Sequence, residues 1–69
     1  MALNYEYIYA EIDPATNMCV GIHRMSIQTT NPILVAIPVE DPDYIFKYYI
    51  DGNWYEDAEG TIPWQSSLI

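Results

Sequence analysis

Apolar and polar positions fall in short blocks, each broken by proline, glycine, asparagine or aspartate. From Tyr5 to Ile12 they alternate, with Tyr5, Tyr7 and Tyr9 on one face and Ile8, Ala10 and Ile12 on the other. A period of two is the signature of a strand with two distinct faces. Asp13-Pro14-Ala15-Thr16-Asn17 reads as a turn, because proline presets φ while Asp and Asn bond the local backbone. Met18 to Met25 predicts a second strand, antiparallel to the first. Met18, Val20 and Ile22 share one of its faces, and Cys19, Gly21 and His23 the other. Gly21 inside that run marks a bulge or a close backbone approach. The polar stretch Ser26 to Pro32 is a loop. Ile33 to Ile37 is a continuous apolar run between prolines, too short for a helix and rich in β-branched residues, and it predicts a short buried strand. Pro38 to Asp43 is a stiff acidic connector whose prolines remove backbone donors.

The strongest local signal follows. Tyr44 to Ile50 is almost wholly aromatic or β-branched, which suits a pleated, half-buried surface. Tyr44, Phe46, Tyr48 and Ile50 are expected on one face, and Ile45, Lys47 and Tyr49 on the other. Asp51-Gly52 predicts a tight hairpin turn, since Gly supplies positive φ without steric cost. Trp54-Tyr55 then returns across the first arm. After Asp57 no period is sustained. The pattern gives an all-β fold, a small antiparallel meander of about five short strands. The β domain spans 1–57, and 58–69 is an extended C-terminal tail that docks on its own sheet or on a neighbouring chain.

Length and composition sharpen this picture. A chain of 69 residues buries only about 60% of its unfolded surface, and such small folds lean on disulfides, metals or partners. One cysteine and one histidine allow neither an internal disulfide nor a four-ligand zinc site. Oligomerisation or docking on a larger assembly remains as the added support. Ten acidic residues against Arg24 and Lys47 give a net charge of −8. That excludes phosphate neutralisation as a mode of nucleic-acid binding and disfavours anionic membranes. No apolar run reaches the eighteen or so residues needed to span a bilayer, and no basic region precedes an apolar core near the N-terminus. The expectation is a soluble protein made in the cytoplasm.

Candidate chemistry is sparse. His23 has no nucleophile at a diagnostic spacing. Cys19 and His23 sit on one strand face but roughly 13 Å apart at 3.3 Å per residue, so Cys19 reads as a small buried hydrophobe. Glu40-Asp41-Pro42-Asp43 lacks the spaced acidic loop and central glycine of dedicated calcium sites. No catalytic residue, metal ligand or cofactor is assigned, and the expectation is not an enzyme. The sharpest feature is aromatic. Seven tyrosines and two tryptophans exceed what so small a core can hold, and such rings favour interfaces. Tyr5, Tyr7, Tyr9, Tyr49, Trp54, Tyr55, Trp64, Leu68 and Ile69 are therefore the expected interface residues.

Tyr7-Ile8-Tyr9-Ala10-Glu11-Ile12-Asp13, Met18-Cys19-Val20-Gly21-Ile22 and Tyr48-Tyr49-Ile50-Asp51-Gly52-Asn53-Trp54-Tyr55-Glu56-Asp57 together resemble a known pattern. It is that of small virion proteins encoded among the head and tail structural genes of tailed bacteriophages. The likeness covers about residues 5 to 57 and excludes the tail from Ala58. It implies a capsid decoration, fibre-attachment or tail accessory component present in many copies, with no catalytic residues. Its partners would be capsid or tail proteins and further copies of itself, and its location the virion, after synthesis in the host cytoplasm. Two other readings stand beside it: a free acidic module that captures a basic host protein, and a carbohydrate-binding module using exposed tryptophans.

Overall fold

A computed structural model describes residues 7–69; Tyr5, one of the expected interface residues, lies outside them. The described chain is all-β, with five strands in two antiparallel sheets: β1 (Tyr7–Ile12), β2 (Cys19–Met25) and β3 (Leu34–Ala36) in one, β4 (Tyr48–Ile50) and β5 (Asn53–Tyr55) in the other. Among the described residues no helix is long and apolar enough to cross a membrane.

The first turn forms where its residues dictate. Asp13 Oδ1 accepts from the Ala15 amide at 2.9 Å, and the Asp13 carbonyl accepts from Asn17 at 2.7 Å. Asn17 takes φ 66°, a left-handed conformation that asparagine tolerates. β1 and β2 then pair, with Ala10 opposite Ile22 and Tyr9 opposite His23. The register slips at one place. Glu11 faces Gly21 and Ile12 faces Cys19, so Val20 has no counterpart and bulges. The bulge shifts the phase expected from simple alternation. Cys19 turns inward and is fully buried, Val20 turns outward at 45% exposure, and Ile22 packs against the core. Cys19 and His23 therefore do not share a face. The strand order is β2-β1-β3: β3 returns to the far side of β1, with Val35 opposite Ala10, and β1 becomes the central strand. The connecting loop lies over the tyrosine face, where the Tyr9 hydroxyl accepts from the Thr29 amide at 3.1 Å.

The stretch before β4 differs from the expected strand. Pro42–Tyr44 is a single 3-10 turn, capped by Asp41, whose carboxylate accepts from the Asp43 amide at 2.9 Å. An acidic cap followed by proline at the first helical position explains it: the cap satisfies a free amide, and proline's missing N–H costs nothing there. Ile45 and Phe46 continue as a turn, with Phe46 at φ 77°. Only Tyr48–Ile50 is strand. The hairpin that follows is as the sequence predicts, with Asp51 at φ 51°, Gly52 at φ 84° and Tyr49 opposite Trp54.

The tail docks on its own chain. Glu56 N–H donates to the Ile62 carbonyl at 2.8 Å, Tyr55 bridges to Pro63, and Trp64 N–H donates to the Trp54 carbonyl at 3.0 Å. Residues 62–64 thus run beside β5. The loop between them closes on Asp57, which accepts from the Thr61 and Ile62 amides and from the Thr61 hydroxyl. Gly60 sits in that loop at φ 70°, against Ile50 and Tyr55.

Candidate functional site

The core holds Ala10, Ile12, Cys19, Ile37 and Tyr44, with Trp54 and Trp64 packed on it. Tyr44 is the hub at 2% exposure. Its ring meets Trp54 at 4.9 Å and Trp64 at 4.8 Å, both edge to face, and Trp54 meets Tyr49 at 5.0 Å. Edge-to-face pairs align the positive ring edge with the negative face of the next ring and contribute about 0.5–1.5 kcal/mol each beyond their buried area. Lys47 Nζ lies 4.9 Å from the Trp64 ring centre, an attraction between ammonium and ring quadrupole. The Ser66 hydroxyl donates to Asp41, and both residues are buried. One carboxylate therefore caps the 3-10 turn and fastens the tail. The Ser66 hydroxyl, then the Asp43 amide, hold the Asp41 carboxyl below the usual carboxylate range. Burial, then the negative charge of Asp41, push the Tyr44 phenol up.

This network consumes much of the expected interface. Tyr49, Trp54 and Trp64 are half-buried and pack on one another or on Tyr44 within the chain. Tyr9 is buried under its own loop, and Tyr7 is half-buried. Tyr55, also half-buried, backs onto Gly60. Leu68 and Ile69 are exposed. The aromatic surplus is thus largely turned inward by the docked tail, which carries one tryptophan of its own.

The side chains that stay outside are different ones: Val20, Ile27, Phe46 and Ile62 join Leu68 and Ile69. Phe46 is the most unusual. It is 69% exposed and its backbone is left-handed, a genuine outlier for a bulky residue. The conformation is held from both sides. Phe46 N–H donates to the Cys19 carbonyl at 2.9 Å, Cys19 N–H donates to the Lys47 carbonyl at 2.8 Å, and Lys47 N–H donates to the Tyr44 carbonyl at 3.0 Å. The bulge at Val20 and the turn at Phe46 therefore sit back to back. No residue-level mark in the sequence sets Phe46 apart; only the Asp41-Pro42 cap upstream signals that the extended run is interrupted.

Two shallow grooves open on the surface. One of about 240 Å³ is lined by Ile12, Pro14, Pro32, Ile33, Val35 and Tyr49, among others. The other, about 320 Å³, lies between Ile22, Glu40, Pro42 and Ile45, beside Phe46 in the chain. Chemistry-bearing side chains are engaged in structural contacts. His23 Nε2 donates to Glu11 Oε1 at 2.7 Å, alongside Gly21, which pairs with Glu11 across the strands. Burial pushes the Cys19 thiol up. Among the described residues no group of three or more His, Cys, Asp or Glu converges on a metal-sized site. The arrangement offers apolar contact surface.

No protein-family model, curated protein or solved structure matches the chain.

Proposed function

We propose that the chain is a non-enzymatic structural component of a tailed-bacteriophage virion, a capsid decoration, fibre-attachment or tail accessory part, that acts by protein–protein assembly. The observation that carries this reading is the outward presentation of Phe46, a ring held in a strained backbone where glycine would fit without penalty. Strain and exposed apolar area both weigh against the free chain, and a partner that covers the ring offsets them. The exposed ends at Leu68 and Ile69 offer further contact area. The sequence pattern over residues 5 to 57 supplies the virion context.

The net charge of −8 favours one second reading, a free acidic module that captures a basic host protein. The two separate cleanly. Quantitative mass spectrometry of purified particles, set against the infected-cell lysate, is expected to find the chain in fixed stoichiometry with capsid or tail proteins. Its absence from particles, with salt-sensitive capture of a basic host protein, would replace the virion reading with the second one.

A further inference from the structure

The order β2-β1-β3 leaves β3 paired on one side alone. Ile12 N–H donates to the Ile33 carbonyl at 2.8 Å and Ile37 N–H to the Ile8 carbonyl at 2.9 Å, with Val35 opposite Ala10 between them. Ile33, Val35 and Ile37 therefore turn their backbone groups to β1, and those of Leu34 and Ala36 point away from it. The Leu34 N–H is taken by the Asn31 carbonyl at 3.0 Å. The Leu34 carbonyl and the Ala36 N–H have no partner among the described residues, and Ala36 is exposed. Such an edge is a template for one more strand, and β3 carries none of the charged side chains that commonly blunt one.

The residues of the edge select what pairs there. About Val35 the segment is nearly a palindrome: Leu34 and Ala36 flank it, Ile33 and Ile37 come next, then Pro32 and Pro38. Set antiparallel to a copy of itself, it places Val35 on Val35, large Leu34 on small Ala36, and Ile33 on Ile37. A twofold interface must be self-complementary in this way. The prolines lack the N–H that would extend the pairing, so they fix its length. Charge agrees. Met25 to Val39 contains no Asp, Glu, Lys, Arg or His, in a chain of net charge −8. β1 sets one carboxylate beside β3, Glu11 opposite Leu34, and it is held to His23 on the β2 side. Two like-charged copies meet with least repulsion along a neutral strand, whereas a basic partner is drawn to the acidic surfaces.

We propose that two copies join edge to edge through β3, antiparallel about a twofold axis at Val35, into one continuous sheet with three strands from each. Ala36 N–H of each copy donates to the Leu34 carbonyl of the other. Val35, which with Ile33 lines the groove of about 240 Å³, meets its counterpart on that face, so apolar area is covered as the backbone groups are satisfied. The purified chain alone suffices to judge the dimer, which does not rest on the virion reading.

Sedimentation equilibrium and amide hydrogen exchange of the intact chain test it, from about 10 μM to about 1 mM protein at about 0.15 M salt. The expected result is a monomer–dimer equilibrium in which the Ala36 amide, unpaired within its own chain, exchanges several-fold more slowly at the top of the range. Ala36→Pro deletes that N–H on an open edge, where proline is tolerated. Ala36→Glu sets a carboxylate at the exposed position in each copy, and the two face one another across the axis. Each variant is expected to weaken the dimer by on the order of tenfold or more, with an unchanged far-ultraviolet circular dichroism spectrum. A chain that stays monomeric throughout overturns the proposal. So does a dimer whose Ala36 amide exchanges as fast as the monomer's, or one that either folded variant leaves intact.

Discussion

Trp64→Ala removes the side chain by which the tail is anchored. The half-buried indole returns on the order of 100 Å² of apolar area to water, about 2.5 kcal/mol at 25 cal/mol per Å². The edge-to-face contact with Tyr44 at 4.8 Å adds about 0.5–1.5 kcal/mol. The Lys47 ammonium over the ring contributes about 0.5–1 kcal/mol at an exposed site. Freed side-chain and tail entropy offsets part of this, leaving a net loss of about 3 kcal/mol. For a chain of this size, each kcal/mol moves the melting temperature by about 4–8 °C, so a drop of about 12–24 °C is expected. Thermal unfolding followed by near-ultraviolet circular dichroism measures it, with Trp64→Phe as the control that keeps an aromatic contact with Tyr44. A Trp64→Ala protein melting within about 4 °C of the parent would refute the view that the tail is integral to the core.

Three further outcomes follow from the same structure. Gly52→Ala places a Cβ at φ 84°, and although nothing crowds the new atom, it is expected to cost about 1 kcal/mol in urea denaturation through backbone strain; an unchanged midpoint would contradict this. Acid should destabilise the fold through Asp41 and Asp57, each with a folded pKa held low, first by Ser66 and by Thr61 respectively. Their contribution is complete above the unfolded carboxylate value of about 3.9 and lost as pH falls through the lower folded values. Melting temperature should therefore hold from neutrality down to about pH 5 and fall below about pH 4, less steeply in Asp41→Asn; a flat profile to pH 3 would count against it. Cys19, fully buried with its thiol pushed up by burial, should react with a thiol reagent only as fast as the chain opens; prompt labelling of the native protein would show the bulge packs otherwise.

The parts of the fold legible in the sequence are those set by local chemistry. The alternation of β1, the Asp13–Asn17 turn and the Asp51-Gly52 hairpin each rest on a few adjacent residues, and each forms as expected. The parts that escaped depend on competition or on distant partners. Gly21 signals irregularity in β2, but not that Val20 would be the unpaired residue and Cys19 the buried one. Nothing local to Ile33–Ile37 says that it pairs with β1. From Tyr44 to Lys47, high β-propensity masked the Asp41-Pro42 cap, and the cap prevailed because Tyr44 then reaches the centre of the ring cluster. The candidate site suffered most. Counting rings against core volume could not decide whether the tail docks on its own sheet or on a neighbouring chain. Once Trp64 and Ser66 dock on Tyr44 and Asp41, the inward capacity is larger, and the ring left outside is one that composition alone does not single out.

Presentation of Phe46 by a strained turn is the claim on which the assembly reading depends, and the stability of Phe46→Gly under urea at dilute protein tests it most directly. Leaving the left-handed region unstrained gains about 1–2 kcal/mol, and the greater freedom of unfolded glycine returns about 0.5–1 kcal/mol. A midpoint equal to the parent's or higher, by up to about 1 kcal/mol of added stability, is the predicted result. A loss of more than about 1 kcal/mol would mean that the phenyl packs as part of the core, and that the outward ring is not there for a partner.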